Sequence, residues 1–167
     1  MSMVWFRALR KYEYAMRIDE DVCLERLPPS ELAAALSSDY AFGLETVERH
    51  SETITTLTPW LRSHMASKEL LPKIPPLPTE RMYFSNMFIS RLSWWDKPEV
   101  REFLDDVNAS GGIYRHRWGD APIQTAALRL HASPASLVHL DVDYYHMSTF
   151  NKVILRGWLA WADSKQV

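Results

Sequence analysis

A chain of 167 residues in which 47% of the side chains are apolar and 24% are charged can bury one hydrophobic core, which excludes a disordered chain. Nineteen basic against 21 acidic side chains leave a net charge of −2 with no basic patch, so neither nucleic acid nor an anionic membrane surface is an expected partner. Cys23 is the only cysteine, so no intrachain disulfide forms, and Met1 to Arg7 holds too few apolar residues for a signal peptide or a membrane span.

Trp5, Leu9 and Tyr12 recur at helical spacing, whereas Tyr14, Met16 and Ile18 alternate with Ala15 and Arg17, so the chain passes from helix to strand near Lys11. The strand ends at Asp19-Glu20-Asp21. Pro28-Pro29-Ser30 opens a short Ala-rich helix over 31–37, and residues 40–44 read as a second strand, giving β-α-β order. Residues 51–65 are helical in content, but a proline in a helix interior loses a hydrogen bond and clashes with the preceding turn. This places the cap at Thr58, Pro59 at the first helical position and the helix over 60–67. The prolines of residues 72–79 predict an extended connector.

Residues 82–92 predict a strand. Ser93 or Asp96 can cap a helix whose apolar stripe is Val100, Phe103, Leu104 and Val107, and Gly111-Gly112 lets the chain leave it through positive φ. A further helix spans 123–130 with Gly119 or Asp120 just before its first turn; Ser133-Pro134 breaks it, and residues 137–141 return as a strand. In the tail, 151–167, Ile154, Leu155, Trp158, Leu159 and Trp161 predict one amphipathic helix packed on a single domain spanning 1–167.

Three groups of residues can carry chemistry, each at an element end where the loops of an open α/β sheet converge. Asp19 and Asp21, separated by one residue after a strand, suit a hard divalent cation or a solvated acidic turn. Asp120, between Gly119 and a helix, is a cap or a catalytic acid, and Trp118 beside it could wall a sugar ring. His139, Asp141 and Asp143 share one face by period-two spacing and His146 follows, giving a metal cluster or a polar edge. A metal-dependent hydrolase on this last cluster needs further histidines, and His50, His64, His116 and His131 are not spaced to supply them.

The run from Gly111 to Pro122, with Arg117-Trp118-Gly119-Asp120-Ala121-Pro122 at its end, closely resembles the GGF-YERWGDAP signature of the glycolipid 2-α-mannosyltransferase family, the fungal-type Golgi α-1,2-mannosyltransferases. Arg17-Ile18-Asp19-Glu20-Asp21 is similar to the family's R-V-E-P-D, with Asp19 in the Glu position and Asp21 in the Asp position. Tyr40-Ala41-Phe42 through Glu48, then Thr53-Ile54 and Leu57 with Trp60, resembles its Y-G-F, H-E and T-I-P-T-L-W stretch. Ser85-Asn86 matches S-N-F-E, but Phe88 replaces the Glu proposed there as nucleophile or substrate anchor; Gln124 replaces a His that often follows D-A-P. His146 falls on the second His of H-x-F-x-D-I-G-Y-H-H-P-P, with Tyr145 for the first and no Pro-Pro.

This resemblance implies a partial GT-A-like α/β fold, a mixed sheet with flanking helices. It implies retaining transfer of mannose from GDP-mannose to the 2-hydroxyl of an acceptor mannose on a protein or lipid glycan, with Mn2+ as cofactor. Asp19, Asp21 and His146 are the metal residues it implies. Asp120 and Glu48 are the catalytic ones, and Trp118, Arg117, Asn86 and Tyr144 the substrate-binding ones. Phe88 can neither attack an anomeric carbon nor accept a proton, which disfavours a covalent intermediate at that position. The family's location is the Golgi lumen, membrane-associated, although no anchor or signal is expected in this chain.

The match covers Arg17 to His146 and corresponds to the carboxyl-terminal part of a catalytic domain, without the nucleotide-binding half. A truncated domain is therefore expected, with an exposed apolar sheet edge near Tyr14, Met16 and Ile18. The alternative function is an inactive relative that binds a glycan or a protein partner.

Overall fold

The computed structural model describes residues 6, 8–74, 81–147 and 152–154. Its centre is a four-stranded mixed sheet in the order β1-β6-β3-β7, formed by β1 (Tyr14–Ile18), β6 (Met87–Arg91), β3 (Tyr40–Phe42) and β7 (Leu137–His139). β6 runs antiparallel to both β1 and β3, and β7 is parallel to β3. A three-stranded antiparallel sheet holds β2 (Val22–Arg26), β8 (Asp143–Met147) and β9 (Lys152–Ile154), and β4 (Glu45–Thr46) pairs with β5 (Met82–Tyr83).

Side-chain alternation along β6 divides the interior in two. Phe88 points into the larger core with Tyr40, where α2 (Ser51–Ser67), α3 (Pro98–Ser110) and α5 (Asp120–His131) bury Leu57, Leu61, Phe103, Val107, Ile123 and Leu128. Met87 and Ile89 point the other way, into a smaller core with Ala35 of α1 (Pro29–Leu36) and with Val142 and Tyr144. Phe88 is fully buried, its ring 5.0 Å from that of Tyr40, so the residue in the family's Glu position is a core residue.

Several expected boundaries change. α2 runs unbroken through Pro59: His50 caps it by accepting the Thr53 N–H at 3.3 Å, and Pro59 lies on the exposed face, where the carbonyl it cannot serve meets water. The expected 82–92 strand is two, because Ser85 and Asn86 turn between β5 and β6. β7 stops at His139, and Leu140 donates its N–H to the Phe42 carbonyl at 2.9 Å. β2 and β8 lack a clear apolar alternation in the sequence and pair with each other across the β1–β2 turn. Residues 152–154 form a strand rather than the start of a tail helix; the rest of that helix, like Trp5 and connector residues 75–79, lies outside the described residues. Gly111 closes α3 at φ 69°, the left-handed exit its position called for, and leads into the four-residue helix α4 (Gly112–Arg115).

Candidate active site

The turn between β1 and β2 gathers most of the charged candidates. Val22 N–H closes it on the Asp19 carbonyl at 3.0 Å, and Asp19 N–H is anchored on the Asn86 carbonyl at 2.9 Å, tying it to the β5–β6 turn. Arg17, at the end of β1, sets its Nε 2.7 Å from Asp19 Oδ1 and donates from Nη1 to Asp120 Oδ2. The bridge is partly buried, with 29%, 30% and 25% of the Arg17, Asp19 and Asp120 side chains exposed. Burial alone would disfavour the guanidinium charge, but the bonds to Asp120 and Asp19 outweigh it and raise the Arg17 pKa.

Asp120 opens α5, with Gly119 in the cap position. Its Oδ1 accepts from Ser85 Oγ at 3.1 Å and from the Ala121 N–H at 3.0 Å, while Oδ2 takes Arg17. The side chain thus serves the first turn of its helix and ties that helix to β1 and the β5–β6 turn. Behind it, Tyr40 is fully buried and donates to Gln124 Oε1 at 3.3 Å; burial, with the Asp120 charge adding to it, pushes the Tyr40 phenol well above its ordinary range. The sequence pattern by itself assigns no role to Arg17 or Ser85. The arginine two residues before Asp19 was the available signal, whereas nothing in the sequence ties Ser85 to a residue 35 positions away.

On the other side of the turn, Asp21 Oδ2 lies 3.0 Å from His146 Nε2, because β8 brings His146 opposite Val22. Asp19 is held by Arg17 instead. Among the described residues no three His, Cys, Asp or Glu side chains converge as a ready metal cage, so the structure pairs two of the three expected metal residues and directs the third to an arginine. The donor set of Asp21 and His146, one carboxylate and one imidazole nitrogen, fits a divalent ion such as Mn2+ whose other positions are filled by phosphate and water. The His139 to His146 group does not assemble: His139 is exposed, Asp141 and Asp143 pair with Arg26, and His146 faces Asp21.

Trp118 does not wall an open pocket. It is 4% exposed, its ring lies 5.3 Å from that of Trp60 and so close to Gly112 that a Cβ there would sit 2.5 Å from it, and its Nε1 donates to Thr56 Oγ1 at 2.8 Å. The indole faces the core because glycine leaves space for it. Asn86 and Tyr144 are also internal, each 1% exposed, with the Tyr144 hydroxyl donating to Asn86 Oδ1 at 3.2 Å. Asn86 keeps a buried Nδ2 with no partner among the described residues. Arg117 is exposed, with φ 52° and its carbonyl accepting from Thr53 Oγ1 at 3.1 Å, so the segment before Asp120 is pinned to the start of α2. Glu48 lies just before that helix, with Oε1 accepting the N–H groups of Arg49 and His50, both at 2.8 Å.

The sequence model of the family described as glycolipid 2-alpha-mannosyltransferase matches residues 79–159, which contain both Asp120 and His146. Over that segment, which is less than half of the chain, the sequence is similar to that family. Glycolipid 2-alpha-mannosyltransferase 1 of Candida albicans is 27% identical over 165 residues, covering 86% of this chain and 36% of that protein. The probable mannosyltransferase YUR1 of Saccharomyces cerevisiae is 25% identical, over 83% of this chain and 39% of its own length. The crystal structure of core-mannan synthase A (CmsA/Ktr4) from Aspergillus fumigatus in its Mn/GDP form superposes with a TM-score of 0.72 at 20% identity, over 86% of this chain and 45% of that one. The mannosyltransferase Ktr4p of S. cerevisiae gives 0.70 at 21% identity, over 84% of this chain and 42% of that one. The fold is therefore the GT-A-like α/β arrangement of mixed sheet and flanking helices. The chain spans between a third and a half of the length of these mannosyltransferases. No helix among the described residues is long and apolar enough to cross a membrane.

Proposed function

We propose that this chain carries the catalytic-acid and metal-binding portion of an α-1,2-mannosyltransferase that moves mannose from GDP-mannose to the 2-hydroxyl of an acceptor mannose, with retention, in the Golgi lumen. The observation that supports it most is the pair of ionic contacts meeting at one turn, Arg17 with Asp19 and Asp120 on one side and Asp21 with His146 on the other. Asp21 and His146 would hold Mn2+, which when bound neutralises charge on the diphosphate leaving group.

Around that ion, the protein's own groups orient and screen. Arg17 fixes the Asp120 carboxylate toward β1 and adds positive charge beside the diphosphate. Asp120, with both oxygens already accepting hydrogen bonds, is suited to stabilising developing oxocarbenium charge rather than to forming a bond with the sugar. Arg117, whose carbonyl is pinned by Thr53 near the start of α2, and Glu48, just before that helix, would orient the acceptor. Phe88 offers no nucleophile from the core, so departure and attack on the same face fit these residues better than a covalent glycosyl-enzyme.

A non-catalytic glycan-binding module is the second reading, favoured by the buried Phe88 and by the engaged oxygens of Asp120. Release of GDP from GDP-mannose, followed with Mn2+ and methyl α-mannopyranoside present, separates the two. Mn2+-dependent release that Asp120→Asn abolishes supports the transferase; mannoside binding with neither release nor any GDP affinity supports the module.

A further inference from the structure

Phe84, Ser85 and Asn86, the residues between β5 and β6, each touch a different part of the candidate site. The Phe84 ring lies edge-on to the His146 imidazole at 5.7 Å. Ser85 Oγ donates to Asp120 Oδ1 at 3.1 Å. The Asn86 carbonyl takes the Asp19 N–H at 2.9 Å, and Asn86 Oδ1 takes the hydroxyl of Tyr144, which stands two residues before His146 on β8, at 3.2 Å. The acid of α5, the β1–β2 turn and the histidine of β8 are therefore all held against one short turn.

That turn is tied down at both ends. Tyr83 gives its N–H to Thr125 Oγ1 of α5 and Phe84 its N–H to the Leu44 carbonyl, both at 2.8 Å, and Met87 enters β6, the strand held between β1 and β3. Ser85 and Asn86 are 5% and 1% exposed. Of the donors to Asp120, Ser85 is the one suited to fix the orientation of the carboxylate. The last torsion of an aspartate is broad and roughly two-fold, so the backbone position alone does not decide which way its oxygens face. The Ala121 N–H belongs to the next residue of the same helix and moves with Asp120. Arg17 reaches Asp120 on a long, partly exposed side chain that also serves Asp19. Ser85 reaches it on a short, buried one.

We propose that Ser85 is a positioning residue of the transferase site: by holding Oδ1 it turns Oδ2 of Asp120 toward Arg17 and keeps the carboxylate at a set distance from the Asp21–His146 pair. The inference rests on the transferase reading and adds to it the residue that aims the acid. Ser85 touches no substrate in this role. A fixed charge stabilises a developing oxocarbenium only where it is aimed, and a misplacement of about 1 Å costs on the order of a hundredfold in rate.

The test compares the whole chain with Ser85→Ala and with Ser85→Cys, which keeps the side-chain shape but donates only weakly. In Mn2+-dependent release of GDP from GDP-mannose, both variants should lower kcat about tenfold or more. The KM for GDP-mannose, and the Mn2+ affinity read from broadening of the His146 signals, should stay within about twofold. A purely structural loss would instead move KM, Mn2+ affinity and the thermal midpoint together. The carbon NMR signal of Asp120 Cγ gives a reading that needs no turnover: it should shift in both variants while that of Asp21 Cγ stays in place. Unchanged kcat in Ser85→Cys, a parallel loss of Mn2+ affinity, or an unmoved Asp120 Cγ signal would each overturn the proposal. If the unaltered chain releases no GDP while the Asp120 signal shifts as expected, the transferase reading falls and the Ser85 tether to Asp120 stands.

Discussion

Asp120 accepts from Arg17, Ser85 and its own helix at once, so at the scale of single residues its charge holds the fold as well as the site. Arg17→Leu and Asp120→Asn should each destabilise the chain, and a double-mutant cycle by urea unfolding should give a coupling of about 1–2 kcal/mol, in the range of charge-assisted hydrogen bonds that are not fully buried. A coupling indistinguishable from zero would mean that the pair does not form in solution. Gly112→Ala would drive a methyl group into the Trp118 ring, whose atoms would lie 2.5 Å from the new carbon. A loss of about 1–3 kcal/mol is expected, and an unchanged denaturation midpoint would count against the packing described. The run containing Asp120 was legible because its Gly, Trp and Asp each have narrow physical uses. The burial of Trp118 was not, because the space that receives the indole is made by a glycine on another turn and by Trp60 of another helix.

At the scale of elements, the amphipathic stripe of α3 and its glycine exit were readable from local pattern alone. Pattern alone does not show which helix face Pro59 occupies, so it predicts a helix over only 60–67, whereas α2 begins at Ser51: on the water-facing side the missing donor is tolerated. β2 and β8 were invisible for a different reason: their pairing joins residues more than a hundred positions apart and leaves only a weak alternation. Helix packing also sets a pH response. Burial is the leading cause that holds His64 on α2 and His131 on α5 below the ordinary histidine range, against Asp106 and Glu102 beside the first and Glu99 beside the second. The unfolded chain therefore binds these protons more readily than the folded one, and stability present at neutral pH is lost as pH falls through about 6.5 toward the lower folded values. The thermal midpoint should drop between about pH 7.5 and 5.5, before the carboxylates titrate, and the drop should shrink when both histidines are replaced by Asn. A midpoint that is flat across that window contradicts this assignment.

At the scale of the whole molecule, β1 forms an edge of the central sheet, and Met16 and Ile18 are 40% and 42% exposed on its outer face. Leu32 and Leu36 of α1, the helix whose last carbonyl accepts the Tyr14 hydroxyl, add 39% and 44% exposed apolar side chains. Among the described residues no strand pairs with the outer side of β1, and such an edge beside apolar side chains favours association. Sedimentation should show mass rising with concentration, and Ile18→Lys should suppress the rise, whereas a strictly monomeric chain at all concentrations would show that the edge is covered.

Asp21 of the β1–β2 turn and His146 of β8, 3.0 Å apart, are the proposed cation-binding point of a transferase site. Paramagnetic broadening by substoichiometric Mn2+ tests it most directly, because the ion erases only nearby NMR signals. The signals of Asp21, Val22, His146 and Phe84, whose ring lies 5.7 Å from the His146 imidazole, should vanish first, and Asp21→Ala should abolish that selectivity. Broadening spread over the surface acids, or centred on Asp141 and Asp143 and unchanged in Asp21→Ala, would contradict it.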